Sequence, residues 1–148
     1  LERMVEAETE TLILHEVGEH EAAALLGPGW ERSLCALERR GAAILMRAVR
    51  DHLADCLVTL PELVERRADA SLHLWFANLD GMRRELFPRA QEAYRAWLGG
   101  DRGQALLATA KVGAEHWRHA CGELLDVIAG EGGEVAVEAL ALDDALRL

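Results

Sequence analysis

A chain of 148 residues, 51% hydrophobic and 28% charged, has the length and composition of one globular domain that buries its own core, and excludes a disordered chain. Its 26 acidic against 16 basic residues leave a formal net charge of −10, which repels phosphate backbones and argues against nucleic acid as a partner. No apolar run approaches the length of a membrane span, and the acidic start carries no signal-peptide pattern. The three cysteines, Cys35, Cys56 and Cys121, are odd in number, widely spaced and without a CxxC pair. That pattern points to reduced thiols and a cytoplasmic protein.

Ala, Leu, Glu and Arg dominate, Val, Ile and Thr are sparse, and no stretch alternates with period two for long, so the expected fold class is all-α. A first helix is expected from about Glu6 to Leu26, stopped by Gly27-Pro28-Gly29. A second runs from near Trp30 to Leu60, with Gly41 as the place where it kinks or splits. Pro61 suits the first turn of a third helix, on which Val64, Ala68, Leu72, Trp75, Leu79, Met82 and Leu86 share a stripe. Pro88 opens a short helix to Leu98, and Gly99-Gly100 ends it. Asp101 is the expected N-cap of a long helix reaching about Ala129. Gly130, Gly132 and Gly133 then break the chain. Residues 1–130 read as a four-helix-type up-down bundle with a short accessory helix, and 131–148 as an amphipathic, helical tail.

Polar residues near the apolar stripes are the candidate functional groups. In the first helix Leu14, Val17, Gly18 and Leu25 share a face with Glu21 in its middle. Either Glu21 is a metal ligand or buried acid, or the helix is rotated and Glu21 meets water or an arginine. His20 flanks that face; His15/Glu19 and Glu16/His20 are each one turn apart. In the second helix Val49, Leu53, Cys56, Leu57 and Leu60 form the stripe and His52 lies one turn before Cys56. A His and a thiol at that spacing suit zinc or nickel, while Cys56 alone reads as a small core residue. His116, His119 and Glu123 cluster within about 60° on the last long helix. His73 lies off its stripe, beside Asp69 and Asp80, and is expected at the surface. The arginines Arg32, Arg39, Arg40, Arg47 and Arg50 are expected to form a solvated face.

His52-Leu53-Ala54-Asp55 resembles the second-helix segment of the DinB/YfiT-like four-helix bundles, and Arg118-His119-Ala120-Cys121-Gly122-Glu123-Leu124-Leu125 resembles their late histidine segment. The resemblance covers about a dozen residues. It implies a divalent metal held by three histidines and chemistry on thiol cofactors, with His52 and His119 as ligands. The third ligand position is Glu115, where the family has His. The pairs His15/Glu19 and His119/Glu123 also resemble the His-x-x-x-Glu pairs of hemerythrin-like bundles.

Two functions follow. The first is a metal-binding helical bundle, a metal-dependent enzyme of the DinB/hemerythrin-like type being its sharpest form. Its expected site is His20, Glu21, His52, His116, His119 and Glu123, holding zinc, nickel or iron. The second is a non-catalytic dimerisation or partner-binding domain. Trp30, Trp75, Trp97 and Trp117, with Phe76 and Phe87, exceed what one small bundle is expected to hide, and the apolar tail offers Val137, Leu140, Leu142 and Leu146 to a second copy. A homodimer is the expected assembly, and a small-molecule ligand the other candidate partner. No nucleophilic triad and no phosphate-binding glycine loop is present in the sequence.

Overall fold

A computed structural model describes residues 2–148. These are 83% helical, well above the base rate of globular domains, and contain no strand. Helix α1 spans Glu2–Leu26. It ends where Gly27 takes a positive φ of 72° and Pro28 opens α2, Pro28–Ala36. Helix α3 follows, Arg40–Ala54, and passes without a break into a π turn, Asp55–Thr59, and then α4, Leu60–Glu65. Next come α5, Asp69–Ala77, α6, Gly81–Leu86, and α7, Pro88–Leu98. The long α8, Gln104–Ile128, and the short α9, Gly133–Leu140, lead to a final 3₁₀ turn, Asp144–Leu146.

The rod made of α3, the π turn and α4 is the centre of the molecule. It packs against α1 on one side and α8 on the other; α5 closes on α1, and α7 on α8. Trp30, Leu45, Met46, Leu53, Leu60, Leu63, Leu72, Leu86, Phe87, Leu106, Trp117 and Leu124 are the large side chains wholly removed from water. Two glycines set how closely the layers approach. A Cβ on Gly18 would strike the Ala54 backbone carbonyl, and one on Gly113 would come within 2.5 Å of Cys56 Sγ. Both contacts lie at the π turn.

The π turn has a local cause. Pro61 has no N–H to give to the Leu57 carbonyl, so the α register fails there. The Leu60 N–H reaches back five residues to the Asp55 carbonyl instead, which is the π pattern.

Several expected boundaries moved. The second helix splits at Leu37–Arg39, ahead of Gly41. The loop is held by the tail: Glu134 Oε2 accepts from the Glu38 and Arg39 N–H groups at 3.0 and 2.6 Å, and Arg39 Nε donates to Glu138 Oε2 at 2.6 Å. Gly41 instead leaves room for Glu138. The single third helix is three short ones, α4 to α6, interrupted where Arg67 adopts a φ of 54° and again at Asn78–Asp80. The N-cap of α8 is Gly103 at a φ of 86°, not Asp101, whose carboxylate nonetheless accepts from the Gly103 and Ala105 N–H groups at 2.8 Å each.

The tail folds back on its own bundle. Val137 and Leu146 are buried, α9 packs on α3 and α8, and Leu148 pairs with Leu86 and Arg89 through two backbone hydrogen bonds of 3.0 Å. Leu142 is exposed. Trp30, Trp75, Phe87 and Trp117 are at most 5% exposed while Phe76 and Trp97 are half-buried, so the bundle absorbs most of the aromatic side chains that were counted as surplus.

Candidate functional site

Among the described residues the one buried carboxylate is Asp55, the first residue of the π turn, with no exposed surface. A charge there requires partners for both oxygens. His15 Nδ1, from α1, donates to Oδ1 at 2.8 Å, and Arg83 Nη2, from α6, donates to Oδ2. Burial pushes the Asp55 carboxyl up, but the His15 hydrogen bond and the charges of Arg83 and His15 outweigh it, and the group sits below the ordinary carboxylate range. The hydrogen bond to Asp55 raises His15 above the ordinary histidine value against the pull of burial. Since a carboxylate only accepts, His15 Nδ1 carries the proton, and Nε2 is left facing outward.

Outward of His15 lie two more carboxylates. His15 Nε2 stands 3.4 Å from Glu19 Oε1, one turn along α1, and Asp51 on α3 completes a half-buried group. Ligand atoms of His15, Glu19 and Asp51 all lie within 4.8 Å of one another, the one such group of three among the described residues. Bonds of about 2.0–2.2 Å to a zinc-sized ion place neighbouring ligand atoms about 3–3.5 Å apart, a spacing that His15 Nε2 and Glu19 Oε1 have at 3.4 Å. Arg50 lies against the same carboxylates: its Nη2 donates to Glu19 Oε1 at 2.6 Å and to Asp51 Oδ1 at 2.8 Å.

A second polar pair sits deeper. His52 is wholly buried, stacked on Trp117 with ring centroids 4.8 Å apart, and its Nε2 donates to the Arg83 carbonyl at 2.8 Å. Burial, helped by the Arg83 charge, holds it down to about 3, so it is neutral with an unpaired Nδ1. Arg83 therefore touches both groups: its guanidinium holds Asp55, and its carbonyl holds His52. The same guanidinium carbon lies 5.9 Å over the Trp75 ring.

The six residues expected to form the site do not assemble into one. On α1 the buried stripe is Ala7, Leu14, Gly18 and Ala22; Val17, Glu21 and Leu25 are exposed. The helix is rotated toward His15 and Glu19, which leaves His20 and Glu21 in water. On α8 the core takes Leu106, Ala110, Gly113, Trp117, Cys121 and Leu124. His119 and Glu123 lie about 200° and 240° around from Trp117 and form an exposed pair at 3.3 Å. His116 donates from Nε2 to the Leu146 carbonyl at 2.9 Å and so fastens the tail. His52 is buried and shares only the Trp117 ring with His116, their centroids 4.8 and 4.5 Å from it, and Glu115 is exposed. His73 is exposed and hydrogen-bonded to Tyr94 at 2.6 Å.

Arg32, Arg39, Arg40 and Arg47 are solvated, but Arg50 is drawn into the cluster. Cys56 and Cys121 are buried thiols pushed up by burial, Cys121 to about 12, and Cys35 is exposed; all three are free. Asp51, Asp55 and Arg83 escaped the sequence reading. Asp55 had a signal: it is the one charged residue in the run Leu53-Ala54-Asp55-Cys56-Leu57-Val58. Arg83 had none, because its partner lies on another helix.

The elements thus define an all-helical domain built around a buried aspartate–histidine–arginine cluster that opens onto two half-buried carboxylates. Over residues 1–143 the chain matches the family described as a family of unknown function (DUF6866), C-terminal domain, and it belongs to that family. No curated protein and no solved structure matches it.

Proposed function

We propose that this domain binds a divalent metal ion through His15 Nε2, Glu19 and Asp51, with Asp55 and Arg83 behind His15 as positioning residues. The observation that carries this reading is the Asp55–His15 hydrogen bond. Histidines that ligate metals donate their other ring N–H to a carboxylate or carbonyl, which fixes the tautomer and aims the free nitrogen. One imidazole and two carboxylates suit zinc or ferrous iron; a softer, sulfur-containing set is absent from this cluster. The DinB/YfiT-like resemblance supports a four-helix-type frame, for which α1, the α3–α4 rod, α7 and α8 are the natural members. The ligands it suggests, His52 and His119, are replaced in this proposal by the α1–α3 group.

The test is zinc and ferrous-iron titration of protein made without a histidine tag, with elemental analysis of the protein as purified. About one equivalent should bind. His15→Ala should abolish binding, Asp55→Asn should weaken it roughly 10–100-fold, and His119→Ala should leave it unchanged. A protein that carries no stoichiometric metal and takes up none rules the proposal out.

A second reading, a helical dimerisation domain, is favoured by a different observation. Of the twelve large apolar side chains left exposed among the described residues, six (Met4, Val5, Leu12, Ile13, Val17 and Leu25) lie on α1. Solution mass tests it.

A further inference from the structure

Of the two guanidinium groups in the cluster, Arg83 is fixed by the buried Asp55, whereas Arg50 is held only by the carboxylates that a metal would use. Its Nη2 bridges Glu19 Oε1 at 2.6 Å and Asp51 Oδ1 at 2.8 Å, and its Nε adds a contact of 3.2 Å to the same Asp51 oxygen. The position where Glu19 and Asp51 converge is therefore already held by a cation, the chain's own. Glu19 Oε1, the oxygen that stands 3.4 Å from His15 Nε2, is thus already taken, and an ion beside His15 competes with Arg50 for it.

Arg50 and Glu19 also border a cavity of about 340 Å³, lined further by Glu16, His20, Trp30 and Glu31. That space is large enough for a guanidinium and offers it the carboxylates of Glu16 and Glu31. Half-buried at 18% side-chain exposure, Arg50 has somewhere to go and acceptors waiting there.

We infer that Arg50 is an internal competitor for the cation site: it occupies Glu19 and Asp51 in the metal-free protein, and metal binding displaces it into the adjoining cavity toward Glu31. The inference rests on the site proposed above and adds its regulation. In the metal-free state, three carboxylates (Glu19, Asp51, Asp55) face two guanidinium groups. When Arg50 leaves, the ion takes over its charge as well as its place. The site is then selective against weakly held monovalent ions, because only a cation that outcompetes a charge-assisted, forked arginine gains entry.

The experiment is calorimetric zinc titration of the wild type, Arg50→Met, Glu31→Gln and the double variant, with thermal melts as a check on folding. Arg50→Met should bind zinc about tenfold more tightly or better, the size that a close charge pair carries in a coupling measurement. Glu31→Gln should weaken binding in the wild-type background and have no effect once Arg50 is gone. Should Arg50→Met fail to fold, Arg50→Lys serves instead. Its ammonium cannot span both carboxylates as a planar fork does, and it should bind zinc more tightly than wild type. If wild type binds zinc and the Arg50 variant binds it equally or more weakly, Arg50 is not a competitor. If neither protein binds zinc, the metal site itself fails and this inference with it.

Discussion

His52, one turn before Asp55 in the chain, and His15, hydrogen-bonded to it from another helix, are pushed in opposite directions by their environments, and the consequence is a stability maximum. His52 is held at about 3, so the folded protein stays unprotonated there while the unfolded chain takes up a proton below about 6.5. Stability tied to His52 is thus complete above that value and falls with pH beneath it, by at most about 1.4 kcal/mol per pH unit. His15 is raised, so its contribution is complete below about 6.5 and is lost as pH rises through its folded-state value. Asp55 is lowered; its contribution fades only once pH drops below the ordinary carboxylate value of 3.8. Urea unfolding in the presence of a chelator should therefore show greatest stability near pH 6.5 and a clear loss by pH 5. A profile flat from 6.5 to 5 would mean that His52 is not buried and neutral. His52 was visible in the sequence as a residue beside an apolar stripe, and His15 only as one half of the one-turn pair His15/Glu19. Their opposite roles were not, since those depend on Asp55 and Arg83, one residue buried by a change of helical register and the other brought in from a separate helix.

At the scale of elements, the close contacts at Gly18 and Gly113 make a sharp comparison with a third glycine. A methyl group on Gly18 meets the Ala54 carbonyl, a piece of backbone that cannot yield, and one on Gly113 meets Cys56 Sγ and the Phe87 ring. Overpacking of this kind costs about 1–3 kcal/mol. Gly122, on the exposed side of α8, has nothing within 4 Å of the added atom. There alanine should stabilise by about 0.5–1 kcal/mol through its better helix propensity. Denaturation midpoints of Gly18→Ala, Gly113→Ala and Gly122→Ala should separate in that order of sign; a neutral Gly18→Ala would contradict the packing of α1 on the π turn. Helix type was legible from periodicity for α1, α7 and α8, and Pro28 and Pro88 marked real ends. The rotation of α1 was not legible, because apolar residues surround the helix: Leu12, Ile13 and Val17 are as hydrophobic as the buried Leu14. The breaks between α4, α5 and α6 were missed because the apolar stripe continues in spacing across Arg67 and Asn78 although the helix does not.

For the molecule as a whole, the question left by the aromatic residues changes form. Tryptophan surplus no longer argues for a partner, since Trp30, Trp75 and Trp117 are absorbed by the core, and the tail covers its own bundle through Val137 and Leu146. Among the described helices, α1 leaves the most large apolar side chains exposed. Two-fold dimers are the commonest homo-oligomers, and a long helix with exposed Leu12, Ile13 and Val17 suits an isologous contact. Light scattering on the eluting peak should then give near twice the chain mass of 16.3 kDa, and Leu12→Glu with Val17→Glu should return it to a single chain. A single-chain mass for the unaltered protein at tens of micromolar would eliminate the homodimer.

The buried Asp55 also bears on how the molecule comes apart. Its two counter-groups enter from opposite directions along the chain, His15 forty residues before it and Arg83 twenty-eight after. No contiguous fragment shorter than that whole stretch can neutralise the carboxylate. A partly assembled form that had docked α1 on α3 but not α6 would strand half of a buried ion pair, which costs about 3–5 kcal/mol. The cluster is therefore a device for cooperativity: it penalises every intermediate in which one of the three segments is missing, so that α1, α3 and α6 open as a single unit.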